Sequence, residues 1–345
     1  MAAGIFITDT HLSPVTFDIN QSIFQQVRKK ANELGLQKVY HGGDIFDNRK
    51  AQPLSVLKMF EKILDDFYDD NIDLVAIPGN HDKNDYKSED SYLDPFKHHP
   101  AFKLITKIGA EALNNKFDLI LLPYFSESDT YMTYFAEADK ILKGSKKYFL
   151  LTHIAVNGVK NNDGSKVDNN IKKELFAKYK NVLIGHYHNQ SVICNNITYI
   201  GSAYQHNFGE DNKKGFYVIE DDGELTFIKA IFPEYKKVII ELATTTPMMA
   251  EKLINEHKSN IDRMRFVFRG TYEQVNSIDK NLYTKNGIDV KFESAELQQG
   301  VEEAIDNKFV TFDKSSIESE FKTFCKKNEI KKIEVGEKYI KQILK

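Results

Sequence analysis

The 345-residue sequence predicts an α/β (α+β) protein. A largely parallel sheet comes first, antiparallel strands, a small α/β unit and C-terminal helices after it. Three observations carry this expectation. Apolar runs and amphipathic segments alternate as β-α-β-α-β over the first eighty residues, the order of a parallel sheet with right-handed crossovers. Polar residues able to bind metals follow directly on the apolar runs. Beyond residue 190 the runs shorten, and turn signals separate them at Asn195-Asn196 and Asp221-Asp222-Gly223.

Taken in order, residues 4 to 8 (Gly-Ile-Phe-Ile-Thr) read as a buried strand ending at Asp9-Thr10-His11. Asn20 to Leu34 has the spacing of an amphipathic helix closed by Gly35. Lys38 to His41 is the next strand and leads to Gly42-Gly43-Asp44-Ile-Phe-Asp47. A second helix covers Pro53 to Tyr68, with proline at its start. The run Asp73 to Ile77 then enters Pro78-Gly79-Asn80-His81-Asp82, where glycine permits a sharp turn. Asp118 to Pro123 is a strand and Asp129 to Leu142 a helix. Tyr148 to Thr152 is a strand ending at His153, and a polar insertion, Asn157 to Asn170, reads as a loop over the site. Ile171 to Tyr179 reads as a helix before the strand Asn181 to Gly185, which ends at His186-Tyr187-His188. Ser191 to Asn195, Thr198 to Gly201, Gly215 to Glu220 and Leu225 to Ala230 read as an antiparallel meander packed on the first half.

Pro233 to Lys236 is a boundary. Strands at Lys237 to Leu242, Met264 to Arg269 and Asp289 to Glu293 alternate with helices at Met248 to His257 and Tyr272 to Leu282. Two helical stretches flank Lys331 to Val335, and residues 314 to 345 hold nine lysines against five glutamates, a net of +4. The expected domains are 1–233, 234–296 and 297–345.

A formal charge of −3 gives no global electrostatic case for nucleic-acid binding, so any such role needs a local patch, metals or a partner. No apolar run reaches the length of a membrane span. The N-terminus has no basic leader and runs straight into a strand, so no secretory signal is expected. Cys194 and Cys325 stand far apart in no ligand spacing and read as reduced thiols of a cytoplasmic protein.

The strand-end residues Asp9, His11, Asp44, Asn80, His81, His153, His186 and His188 collect at the edge where sites form in such sheets. Carboxylate, amide oxygen and imidazole are the ligands that divalent ions take, and seven of these residues suffice for two ions sharing a carboxylate. Two ions about 3.5–4 Å apart can clamp a phosphate and lower the pKa of a water between them. One further group must then help the leaving oxygen, and His81, beside Asn80, suits that role. Any single Asp-x-His is poor evidence; five motifs, each after an apolar strand, are not. By the same test His41, within a strand, His206, in a loop, His257, at a helix end, and the His98-His99-Pro100 turn are read as non-ligands. Asp47 and Asp82 are read as residues that fix the loops.

In order, Asp9-x-His11, Gly43-Asp44-x-x-Asp47, Gly79-Asn80-His81-Asp82, Thr152-His153 and Gly185-His186-x-His188 resemble the five motifs of the calcineurin-like metallophosphoesterases. Tyr199 to Glu210, then Lys214 to Val218, resemble the segment after the last motif in SbcD-type DNA repair and recombination nucleases, most like their phage branch. The resemblance implies a two-sheet sandwich flanked by helices. It implies one ion at Asp9, His11, Asp44 and His188, another at Asp44, Asn80, His153 and His186, with Asp44 bridging. Manganese is the metal implied, with magnesium the other candidate. The implied activity is DNA exonuclease and single-strand endonuclease, in a homodimer working with an SbcC-type coiled-coil ATPase in bacterial or phage-infected cytoplasm. The 234–296 unit would cap the DNA and the C-terminal helices would dock on the ATPase. Expected backbone contacts are Arg49 and Lys50, then Lys160, Lys166, Lys213 and Lys214. A metallophosphoesterase acting on nucleotides or phosphoproteins is the alternative. Ser13-Pro14, where many relatives have glycine, departs from the pattern and bears on the local loop shape.

Overall fold

Side-chain alternation along doubly buried strands organises the architecture. The structure, a computed structural model, describes residues 2–126, 129–142, 147–161, 165–258 and 261–294, with Phe321, Cys325 and Gly336 beyond them. Its elements run β1 (Ala2–Ile7), α1 (Phe17–Leu34), β2 (Lys38–His41), α2 (Leu54–Asp69), β3 (Asp73–Ala76), β4 (Phe102–Leu104), β5 (Gly109–Ala112), β6 (Phe117–Leu122), α3 (Asp129–Ile141), β7 (Lys147–His153) and β8 (Asn181–Gly185). Then follow β9 (Ser191–Cys194), β10 (Ile197–Tyr199), β11 (Gly215–Glu220), β12 (Leu225–Lys229), β13 (Tyr235–Glu241), α4 (Pro247–His257), β14 (Arg263–Gly270), α5 (Tyr272–Asn276), α6 (Asn281–Thr284) and β15 (Asp289–Ser294).

Two six-stranded mixed sheets form, in the orders β12-β11-β1-β2-β3-β4 and β5-β6-β7-β8-β10-β9. In the first, β1 to β4 are parallel and β11 joins β1 antiparallel. In the second, β6, β7, β8 and β10 are parallel. Phe6, Tyr40, Val75 and Ile77 of the first sheet meet Leu119, Leu121, Phe149, Leu151 and Leu183 of the second. Their sequence neighbours point outward: Ile5, Ile7, Val39 and Leu74 pack on α1 and α2, while Ile120, Leu150, Val182 and Ile184 join the layer that holds Tyr131 and Phe135 of α3. Period-two alternation with both faces buried is why these strands read as continuous apolar runs. Helix α1 buries Ile23, Phe24, Val27 and Ala31, the spacing of one helical face. Gly35, with φ 68°, ends it, and the Leu36 amide donates to the Ala31 carbonyl at 2.9 Å.

The chain divides into two compact units, Met1–Lys237 with Lys258–Met264, and Val238–His257 with Arg265–Lys345. The small sheet runs in the order β13-β14-β15, with β14 and β15 parallel and Arg265 paired to Asp289 across them.

The structure differs from the sequence reading in four places. The four short strands do not form one meander: β9 and β10 complete the second sheet, whereas β11 and β12 return to the first. Residues 171–179 hold only a 3₁₀ turn, Lys173–Phe176, preceded by extended, uncapped Lys172. The helix expected over Tyr272 to Leu282 is broken into α5 and α6, the first opened by a Thr271–Gln274 capping box. Strands β4 and β5 were not expected. The C-terminal helical segment lies outside the described residues apart from Phe321, Cys325 and Gly336, all helical.

Candidate metal centre

Parallel strands bring their carboxyl ends to one edge, so β1 delivers Asp9 and His11, β2 Asp44, and β3 Asn80 and His81, while β7 and β8 deliver His153, His186 and His188 from the other sheet. The loops hold unusual backbone. Asp9, His11, Asp44 and His186 have φ of 52°, 43°, 55° and 97°, four of the five non-glycine residues with positive φ among the described residues. Such conformations cost about 1–3 kcal/mol each and persist where the surroundings enforce them.

The enforcement is visible. The Asp9 and His11 amides donate to the Gly43 and Asp44 carbonyls at 3.0 and 3.1 Å, lacing the first loop to the second. The fully buried Asp82 carboxylate accepts from the amides of Ile45 (3.3 Å), Phe46 (2.9 Å) and Gly79 (2.9 Å), lacing the second to the third. Burial, reinforced by Asp44, pushes the Asp82 carboxyl up to about 7. Gly79 is required for close approach: a Cβ there would sit 2.2 Å from Asp44 Oδ1. The His186 amide donates to the Asp9 carboxylate at 3.1 Å, joining the two sheets' loops.

Among the described residues, three groups of ligand atoms fall within 4.8 Å of one another: His11, Asp44 and His81; Asp44, His153 and His186; His11, His188 and His206. Asp44 belongs to two of them. His153 Nδ1 donates to the Gly42 carbonyl at 2.8 Å, which turns Nε2 toward Asn80 Oδ1 at 3.0 Å and Asp44 Oδ2 at 3.3 Å. His186 Nδ1 stands 2.9 Å from the same Asn80 oxygen. On the other side, His11 Nε2 is 3.1 Å from His188 Nε2, 3.7 Å from Asp44 Oδ2 and 3.9 Å from Asp9 Oδ1.

Octahedral ligands bonded at ~2.1 Å stand about 3 Å apart, so the donor set and spacing fit two divalent ions sharing Asp44. Electrostatics agree. Burial opposes charge on Asp44, yet His153, and then His11 and His81, hold it well below the usual carboxylate range. Burial likewise opposes the His153 imidazolium, but Asp44 raises that ring to about 9, the electrostatic signature of a site that attracts positive charge.

His81 hangs at the rim. Its Nδ1 donates to the Asp47 carbonyl at 2.5 Å, and its Nε2 lies 2.6 Å from Arg49 Nη2. Burial lowers its pKa. Asp44, Arg49, Asn80, His81, Asn161, Tyr187, His186 and His188 line an open pocket of about 400 Å³. Lys50 does not line it. The polar insertion reaches it through Asn161, whose side chain also accepts from the Tyr187 hydroxyl at 2.8 Å.

Three readings of the sequence need correction or addition. Lys214 is fully buried and bound to Glu210, so it cannot be a surface contact. His206 is drawn into the site: its ring lies 4.8 Å from that of His11 and 4.6 Å from that of His188, and its Nε2 donates to the Asp9 carbonyl at 3.1 Å. Glu210, outside the expected site residues, accepts from His188 Nδ1 at 2.8 Å. Both residues follow the last motif on an irregular segment, where no strand announces them. His41 belongs to none of these ligand groups but lies buried behind the loops, its Nδ1 accepting from the Gly43 amide at 3.2 Å and its Nε2 3.1 Å from Thr10 Oγ1, whereas the turn at His99 lies near Asp65.

Residues 5–190, more than half of the chain, match the calcineurin-like phosphoesterase family model. The chain belongs to that family. It is 26% identical over 285 residues to exonuclease subunit 1 of Enterobacteria phage T4, covering 80% of this chain and 75% of that protein. Similar solved structures include a dimetal phosphatase from Danio rerio (9% identity, TM-score 0.44, covering 62% of this chain and 91% of that one). A nuclease, MPE, from Pseudomonas putida is 14% identical with a TM-score of 0.28, covering 57% and 67%.

Proposed function

We propose that this calcineurin-like phosphoesterase hydrolyses phosphodiester bonds of DNA at a two-metal site, as the nuclease subunit of an SbcCD-like repair or recombination complex. The observation that supports it most is the shared carboxylate: Asp44 stands between imidazoles from both sheets, with Asn80 and His186 on one side and His11, Asp9 and His188 on the other. Kinship with the phage T4 exonuclease subunit over most of the chain supports DNA as the substrate.

On this reading Asp9, His11, Asp44 and His188 would hold one ion and Asp44, Asn80, His153 and His186 the other, manganese first and magnesium second. When bound, the pair supplies Lewis-acid stabilisation of the phosphoryl oxygens and a water acidic enough to attack at neutral pH. The protein does the rest. The Gly42 carbonyl fixes the His153 tautomer, and laced loops hold the ligands in strained backbone that needs no reorganisation. Arg49, donating to His81 Nε2 in this structure, offers a planar fork that an arriving phosphate takes up. That frees His81 Nε2 to take up a proton from water and pass it to the leaving oxygen, while the Asp47 carbonyl keeps the ring aimed. Lys160 and Lys166, paired by an isolated antiparallel bridge in the insertion, would extend the contact along the backbone.

The word "subunit" in the relative's name supports a partner, which we assign to an SbcC-type coiled-coil ATPase acting on a homodimer of this chain in the cytoplasm. Among the described residues no helix is long and apolar enough to cross a membrane. Asp44→Ala tests the shared-carboxylate mechanism: manganese-dependent cleavage of labelled DNA is expected to fall to background, and retained cleavage would overturn it.

A further inference from the structure

We propose that Glu210 and Lys214 form a buried bracket that positions His188 and strengthens it as a ligand, setting the affinity of the ion site formed with Asp9 and His11. The inference rests on the two-metal reading above.

A carboxylate only accepts, so the 2.8 Å contact between His188 Nδ1 and Glu210 Oε1 requires the ring to donate from Nδ1. In the neutral ring the ligand lone pair then sits on Nε2, the atom 3.1 Å from His11 Nε2 at the ion site. An anion behind an imidazole raises its basicity as a ligand and fixes its rotation. His153 is held differently, by the neutral Gly42 carbonyl. The two ion sites therefore differ in what stands behind their histidines.

Glu210 is itself tightly held. Its carboxylate also accepts from Asn207 Nδ2 at 3.0 Å and from the His206 amide at 3.1 Å, and its carbonyl accepts from Gln205 Nε2 at 2.9 Å. The ammonium of Lys214, with no exposure, divides its contacts three ways. It reaches Glu210 Oε2 at 3.1 Å, Asn189 Oδ1 at 3.0 Å and the carbonyl of His188 itself at 2.5 Å. One cation thus grips both the main chain of the ligand and the carboxylate on its ring. A buried ammonium is costly unless every proton is spent in this way. Structural packing alone would be served by an apolar residue; the bracket instead links each of its charges to His188.

The test is manganese binding by calorimetry and electron paramagnetic resonance on the full-length chain, with thermal denaturation alongside. Wild-type protein is expected to bind two ions and give the signal of a coupled pair. Glu210→Gln is expected to weaken one ion about 10-fold and Glu210→Ala about 100-fold, leaving the other at wild-type affinity and replacing the coupled signal by that of an isolated ion. Lys214→Met is expected to follow Glu210→Gln. Two wild-type affinities in Glu210→Gln would overturn the proposal while leaving the two-metal reading intact. That isosteric variant decides the matter should Glu210→Ala fail to fold. Fewer than two ions in wild-type protein would overturn both.

Discussion

His81 and its neighbour Asn80 face different ways from one loop. Asn80 Oδ1 faces His153 and His186 in the interior, whereas His81 turns to the rim, held by the Asp47 carbonyl and Arg49. His81→Ala is expected to lose about 10²–10⁴-fold in turnover, the usual worth of general acid help, while keeping both manganese ions. Loss of an ion on calorimetry would make His81 a ligand, a role its proximity to His11 and Asp44 makes chemically meaningful. The residues proposed as ligands were legible because each follows an apolar strand in a parallel sheet, so position and chemistry pointed the same way. Glu210, Lys214 and His206 were not. They sit on irregular backbone, and a lysine's burial depends on partners that only tertiary structure supplies. The four-residue spacing of Glu210 and Lys214 inside the segment resembling SbcD-type nucleases was the signal available.

The elements that sequence reasoning missed are short or depend on distant contacts. β4 has three residues and β5 four, too few for a period-two pattern to stand out from loop. Yet β5 carries Glu111, which ties the sheets together: its buried carboxylate accepts from Lys38 of β2 at 2.9 Å, from Lys103 of β4 and from the Tyr40 hydroxyl at 3.3 Å. Burial opposes this charge, but Lys103 and Lys38 outweigh it and lower the Glu111 pKa. Its contribution is therefore present above the unfolded carboxyl's value and lost as pH falls through the lower folded one. The lysines are 43% and 54% exposed, so solvent screens the pairs. Glu111→Gln is expected to cost about 1–2 kcal/mol in urea unfolding at pH 7, and the difference from wild type is expected to shrink toward pH 3. A pH-independent difference would contradict the ion-pair account. The segment at 171–179 failed as a helix for a related reason: packing Ile171, Phe176 and Tyr179 beneath the second sheet is satisfied by a single 3₁₀ turn.

At the scale of the molecule, two sheets of six strands bring loops from both halves of the phosphoesterase fold to one edge. The parallel β-α-β order of the first eighty residues was readable. The return of β11 and β12 to the first sheet was not, because hairpin signals say which strands pair locally and nothing of which sheet they join. The net charge of −3 gives the chain no overall attraction for DNA, so on the proposed reading Arg49, Lys160 and Lys166, with bound metals and a partner, would supply the grip. Substrate class is therefore the claim on which the account turns. It is tested most directly by comparing manganese-dependent hydrolysis of labelled DNA with that of p-nitrophenyl phosphate by the purified chain. Cleavage of DNA, abolished in Asp44→Ala and far exceeding monoester turnover, is the expected result; monoester hydrolysis without DNA cleavage would contradict it.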